Sequence, residues 1–261
     1  MASRFPPAST HPGRRPSGAL AGVPPPHRTT VAAHLSPSLR NTWVDRVAHD
    51  LRGPLAPMQT ATYLLRDPEI DAAQRDELLD LLEQQIRRLS QMIGEVSDFG
   101  RAEAGRLVTR RERVEVESLV ADLAGSLPTP PRVELDASAH GVLLEGDILR
   151  IAQMFQLLLG MRLARGVPAP VAARLESGRG RLRMRCTVAC LEASDELVNL
   201  LLAAPHPDPP DDTLGFGLVI AGAIAAAHGG RLHGHASDGE HVELVLELPC
   251  VRPPTGRGAN A

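Results

Sequence analysis

His49, Asp50 and Arg52 stand close together in the string Ala48-His49-Asp50-Leu51-Arg52-Gly53-Pro54-Leu55. An imidazole is the side chain best suited to nucleophilic work near neutral pH. A carboxylate beside it can hold one ring N–H and leave the other nitrogen as the nucleophile. Read singly, a histidine on a helix surface is an ordinary solvated residue, so the string as a whole carries the chemistry. His49 and Asp50, with Arg52 three positions after the histidine, form the candidate reactive set.

The element that must position them is a helix from about Ser36 to Leu65. Val44, Val47, Leu51, Leu55, Met58, Thr62 and Leu65 recur at spacings of three and four and share one stripe. At about 100° per residue, His49 falls roughly 170° from the centre of that stripe and faces solvent or a partner. Ser36-Pro37 is a helix-start signal and Asp67-Pro68 a stop. Pro54 removes a backbone donor and is expected to bend the helix close to the histidine.

A second helix is expected from about Asp71 to Arg101. Leu78, Leu82, Gln85, Leu89, Met92, Val96 and Phe99 form one seam along it, and Leu79, Leu82, Ile86, Leu89, Ile93 and Val96 a second. Two overlapping seams are wider than a two-helix contact covers, so two such hairpins should pair as a four-helix bundle. The alternative is that one seam packs against the C-terminal part of the same chain.

Composition sets the remaining bounds. The 261 residues are 43% hydrophobic but only 2% aromatic, so a core must come from Leu, Val, Ala and Ile. A net charge of −3 argues against nucleic acid as an obligatory partner. Every side-chain cation of the Lys/Arg class is arginine, which reads as a codon bias. Cys186, Cys190 and Cys250 have no metal spacing and suggest buried thiols in a reducing compartment. Neither a membrane-spanning run nor a secretory h-region is visible, so the expected location is cytoplasmic. Residues 1–34, rich in Pro, Gly, Ser, Thr and Arg, read as a disordered tail, with a transit peptide as the alternative.

From Val114 onward the texture is that of short strands and helices. Strands are expected at Val114–Val116, Arg132–Leu135, Arg181–Val188 and His241–Leu248, and helices at Glu117–Ser126, Gly146–Arg165 and Leu218–His228. The order suits an α/β sandwich. Alternation in the Arg181–Val188 stretch gives an arginine face, read as solvated rather than phosphate-binding. His233, His235 and His241 lack partners for a tetrahedral metal set and read as a surface cluster.

His-Asp-Leu-Arg-Gly-Pro-Leu resembles the phospho-acceptor box of two-component sensor histidine kinases. The resemblance implies that His49 is phosphorylated and that Asp50 polarises its ring. Asp147-x-x-Arg150-Ile151-x-Gln153 resembles the entry to that family's asparagine box. Gly215-Phe216-Gly217-Leu218 with Ala227-His228-Gly229-Gly230 resembles its second glycine box and the helix after it. By resemblance, Asp147, Arg150, Gln153, Gly215 and Gly217 would contact ATP and magnesium. The family's magnesium-holding asparagines fall on Leu157 and Met161, neither an oxygen ligand. Its adenine-binding acid and two glycines fall on Cys190, Glu192 and Ser194, and a Pro-rich stretch from Ala203 to Asp212 replaces its lid.

The expected architecture is therefore α+β and multidomain: a tail (1–34), a dimerisation and phospho-acceptor hairpin (35–108), a degenerate ATP-binding domain (109–250) and a short tail (251–261). Three functions fit it. One is a histidine-kinase-like transmitter in which His49 passes a phosphoryl group to or from a response-regulator aspartate. Another is a histidine phosphotransfer protein without its own kinase activity, since the replaced residues argue against autokinase chemistry. The third is a non-catalytic scaffold that binds response regulators. The expected partners are a second copy of the chain and a receiver domain.

Overall fold

The computed structural model describes residues 37–252 apart from 128, 130, 166–171 and 212, with side chains from Val44 onward. The N-terminal tail expected over residues 1–34 lies outside the described residues, as does the expected C-terminal tail except for its first two residues, of which Val251 forms a bridge with Leu143. The described residues begin with three helices: α1 (Pro37–Arg52), α2 (Leu55–Leu64) and α3 (Ala72–Glu103). The single bent helix expected over Ser36–Leu65 is two helices, because Pro54 cannot donate and the backbone turns at Gly53, whose N–H bonds to the Asp50 carbonyl. The break also changes which face is covered. Val47, Pro54 and Ala61 are buried, whereas Val44, Leu55 and Thr62 of the expected stripe are exposed.

Asp71 caps α3 in a reciprocal box. Its side chain accepts from the Gln74 N–H at 2.8 Å, and the Gln74 side chain accepts from the Asp71 N–H at 3.4 Å. Along α3, Gln85, Met92, Phe99 and Ala102 are buried. Leu79, Ile86 and Ile93, spaced by sevens, are 46%, 51% and 56% exposed. One seam is thus used within the chain and the other is left open.

The rest is a sheet domain. It follows the order β1 (Glu112–Glu115), α4 (Val116–Ser126), β2 (Arg132–Leu135), a 3-10 turn, β3 (Leu143–Gly146), α5 (Ile148–Leu159), β4 (Ala172–Gly178), β5 (Arg181–Ala189), α6 (Asp195–Ala203), α7 (Gly217–Ala227), β6 (Arg231–Asp238) and β7 (His241–Pro249). The main sheet runs β2-β4-β5-β7-β6, parallel only between β2 and β4, and β1 pairs with β3 in a second, two-stranded sheet. Helix α5 is shorter than the expected Gly146–Arg165, because Asp147 caps it and Gly160 closes it.

Alternation sorts the two sheet faces. Leu182, Met184, Cys186 and Val188 of β5, with Val242, Leu244, Leu246 and Leu248 of β7, point into the core shared with α5 and α7. Val47 of α1 and Met92 and Phe99 of α3 belong to that same apolar cluster. On the opposite face Glu176, Arg183, Glu247 and Arg231 are direct cross-strand neighbours over four strands. The arginine face is therefore an ion-pair ladder, with Glu247 bonded to Arg231 at 2.8 Å and to Arg183 at 2.9 Å. The three cysteines are free thiols, two of them buried. No helix among the described residues is long and apolar enough to cross a membrane.

Candidate functional site

His49 lies in the last turn of α1 and is exposed. Its ring makes no hydrogen bond to any described residue. Asp50 turns back along the helix toward Arg46, with Oδ2 3.6 Å from Nε, rather than toward the imidazole. Arg52, the last residue of the helix, is exposed one turn beyond the histidine.

Arg46 also reaches out of the hairpin. Its guanidinium donates to the carbonyls of His206 at 2.6 Å, Leu214 at 2.9 Å and Pro207 at 3.3 Å. Those carbonyls border the glycine loop Leu214–Gly217, so His49 sits one helical turn beyond an anchor to that loop. Gly215 has φ +79°, and a Cβ there would lie 2.9 Å from His206 backbone atoms. Both facts demand glycine.

Behind the loop is a cavity of about 510 Å³ between α3, α5 and α7. That is the size of a small-molecule site. Gln153, Gly215 and Gly217 line it, as do Leu157, Met161 and Gln156. A Cβ on Gly217 would lie 3.6 Å from Leu157 and 3.7 Å from Met161, so these two side chains cover the start of α7 with carbon and sulfur. Magnesium takes oxygen ligands, which Leu157 and Met161 do not offer; the side-chain oxygens along the cavity include those of Glu95, Asp98, Gln153, Gln156 and Asp211. Among the described residues no group of three or more His, Cys, Asp or Glu side chains is placed to hold a metal ion.

Asp147 and Arg150 stand apart from this cavity, in a second cleft of about 870 Å³ beside Asp98 and Thr109. Asp147 is 5% exposed and accepts from the Thr109 N–H and hydroxyl at 3.0 and 2.8 Å. Burial opposes its ionisation, but these bonds, with others from Arg110 and Arg150, hold the carboxyl down to about 2. Its own N–H donates to Nε2 of His228, whose Nδ1 faces the Ile224 carbonyl at 2.8 Å. That fixes the proton on Nδ1, and burial lowers the pKa of the ring. Arg150 and Gln153 both donate to Asp98 of α3, at 2.7 and 2.6 Å. The residues matched to a nucleotide box thus divide. Gly215 and Gly217 line the cavity, Asp147 and Arg150 tie α5 to Thr109 and α3, and Gln153 does both.

Three residues absent from the sequence-derived set complete the site: Arg46, Glu95 and Asp98. The Glu95 carboxylate accepts from the N–H groups of Leu214 at 3.1 Å and Phe216 at 3.4 Å. Burial pushes its pKa up to about 7, against those two bonds, and Asp211 adds repulsion. The signal for it was its register. Met92, Glu95 and Phe99 step three and four along the buried seam, and an acid on such a seam requires a buried partner.

Residues 39–105 match the family model of the His Kinase A phospho-acceptor domain. Over most of its length the chain is similar to sensor histidine kinases. It is 26% identical over 236 residues to the sensor protein ChvG of Rhizobium meliloti, covering 80% of this chain and 40% of that protein. It is 24% identical over 227 residues to the sensor histidine kinase MtrB of Mycobacterium tuberculosis, covering 82% and 40%. The chain therefore spans about 40% of the length of these curated relatives. In fold it is similar to histidine kinase ThkA in complex with the response regulator TrrA, with TM-score 0.60, 17% identity and coverage of 84% of this chain and 64% of that one. Full-length ShkA in complex with AMPPNP gives TM-score 0.57 at 20% identity, covering 82% and 46%. The His Kinase A match contains His49, Asp50, Arg52, Glu95 and Asp98.

Proposed function

We propose that this chain is the transmitter of a two-component phosphorelay in which His49 carries the phosphoryl group. The observation that carries the reading is an exposed histidine at the end of α1, inside the matched phospho-acceptor segment, immediately before the Gly53-Pro54 break. A neutral imidazole nitrogen attacks the phosphorus of an aspartyl phosphate on a receiver domain. The new N–P bond forms as the P–O bond to the aspartate breaks, and the carboxylate leaves. Positioning and charge stabilisation dominate such a transfer. Arg52, three residues on along the same side of the helix, offers a cation to the phosphoryl oxygens. Leu55, Gln59 and Thr62 are exposed on α2 and, with half-buried Met58, form the surface for the receiver. The open seam of Leu79, Ile86 and Ile93 supports pairing of two hairpins into a homodimer.

The direction of supply separates two readings. A kinase of its own would draw the phosphoryl group from ATP, and AMPPNP accompanies the similar fold of ShkA. Leu157 and Met161 over the glycine loop favour supply from a phosphorylated receiver instead. The test offers the purified chain either ATP with magnesium or a panel of phosphorylated receiver domains, and follows acid-labile label. We expect labelling from a receiver that His49→Ala abolishes, and no labelling from ATP above that variant. Rapid labelling from ATP would restore the autokinase. No labelling from either donor leaves the regulator-binding scaffold.

A further inference from the structure

The glycine loop that would receive a phosphate already holds a carboxyl group supplied by the chain itself. Glu95 of α3 accepts from two amides of the loop, Leu214 and Phe216, at the entrance to α7. No side chain of the loop's own segment caps that helix. The end of a helix that exposes N–H groups favours negative charge, and Glu95 stands beside that end on two amides that precede α7.

Two more contacts fasten the same surfaces. One turn along α3, the carboxylate of Asp98 takes Arg150 and Gln153 of α5 at 2.7 and 2.6 Å. Phe99 lies against Phe216, ring centroids 4.9 Å apart. From α1, Arg46 holds the carbonyls of His206 and Leu214, so Leu214 is gripped at its N–H by one helix and at its carbonyl by another.

We propose that Glu95 is an internal occupant of the glycine loop, latching the sheet domain onto the hairpin, and that a polyphosphate-bearing ligand binds there only by displacing it. The proposal rests on the ATPase-type reading of the glycine loop but not on the phosphorylation of His49. Displacement frees α3 at Glu95 while Asp98 still holds, so occupancy of the loop is transmitted to the hairpin that carries His49.

The test uses the full chain and two readouts independent of phosphoryl transfer. Amide hydrogen exchange at Leu214 and Phe216 is compared in wild type, Glu95→Ala and Glu95→Gln, and binding of pyrophosphate and of ADP, without metal, is titrated calorimetrically. In Glu95→Ala both amides should exchange about tenfold faster, as for a lost hydrogen bond. Ligand affinity should rise by about the same factor. Glu95→Gln keeps the shape and removes the charge, so it should retain partial protection while still gaining affinity. A gain for both ligands assigns the site to the polyphosphate group, and a gain for ADP alone to a nucleotide. Unchanged exchange in Glu95→Ala overturns the latch. Faster exchange with no gain for either ligand, in either variant, overturns the competition. A failure of His49 labelling leaves all of these measurements standing.

Discussion

Glu247 is 5% exposed on the outer face of the sheet, between Arg231 and Arg183. Their hydrogen bonds, Arg231 first, draw its carboxyl down to about 2 from 4.5. The depressed value fixes the sign of its pH dependence. The contribution is fully present above about 4.5 and disappears as pH falls toward 2. Glu247→Gln should therefore cost roughly 1–3 kcal/mol at pH 7, with the partly exposed arginines keeping it at the lower end. The difference from wild type should vanish near the folded value, and urea unfolding at the two pH values measures both. A second residue-scale expectation concerns Gly146, where an added Cβ would meet the His228 ring at 2.2 Å. Gly146→Ala should displace that ring, free the Asp147 N–H and lower stability by about 1–3 kcal/mol, seen as a lower urea midpoint. At this scale sequence motifs located residues but not their duties. Asp147 and Arg150 stood out through a family resemblance, yet they tie α5 to Thr109 and Asp98, partners 38 and 52 positions earlier. Spacing along a helix reports which face a side chain occupies, and tertiary partners so distant in sequence leave no local trace.

Helix α3 shows what periodicity can and cannot say. Its two seams were visible as two registers of apolar residues, and both exist. The assignment of partners was not visible, because Met92 and Phe99 meet the sheet domain of the same chain whereas Ile86 and Ile93 keep about half their surface exposed. Replacing Ile86 and Ile93 by Glu should thus turn dimers into monomers without unfolding them. Both sites are half exposed in one chain, and a carboxylate becomes costly only when a second hairpin buries it. Light scattering with circular dichroism checks both halves, and an unchanged dimer mass would place the interface elsewhere. Met92→Ala, in the other seam, should instead cost about 2–5 kcal/mol by opening a cavity. The strands divide similarly. Arg181–Ala189 and His241–Pro249 alternate cleanly because one face is core and the other an ion-pair ladder. Leu143–Gly146, with four residues, is too short to show a period, and Arg231–Asp238 lies at the sheet edge with its alternation blurred by His and Gly.

Across the whole molecule, the hairpin and the sheet domain share one core and are further joined by Arg46, Glu95 and Asp98. Of these contacts Arg46 is the one nearest His49 in the chain, and it also pairs with Asp50. Arg46→Ala should release the loop carbonyls and Asp50 together, leaving that carboxylate free to turn toward His49. The expected outcomes are faster amide exchange around Leu214 and a changed rate of His49 labelling with α3 intact. An unaltered rate would show that Asp50 is not held back from the ring by its arginine. The central claim, that His49 is the phosphoryl carrier, is tested most directly by locating the phosphoryl group itself. Wild-type chain is exchanged with a phosphorylated receiver domain, digested at neutral or alkaline pH, and the acid-labile adduct mapped by mass spectrometry. The account predicts a single phosphoramidate on the peptide containing His49, absent from His49→Ala. A phosphoryl group on another residue, or an equal yield from His49→Ala, would contradict it.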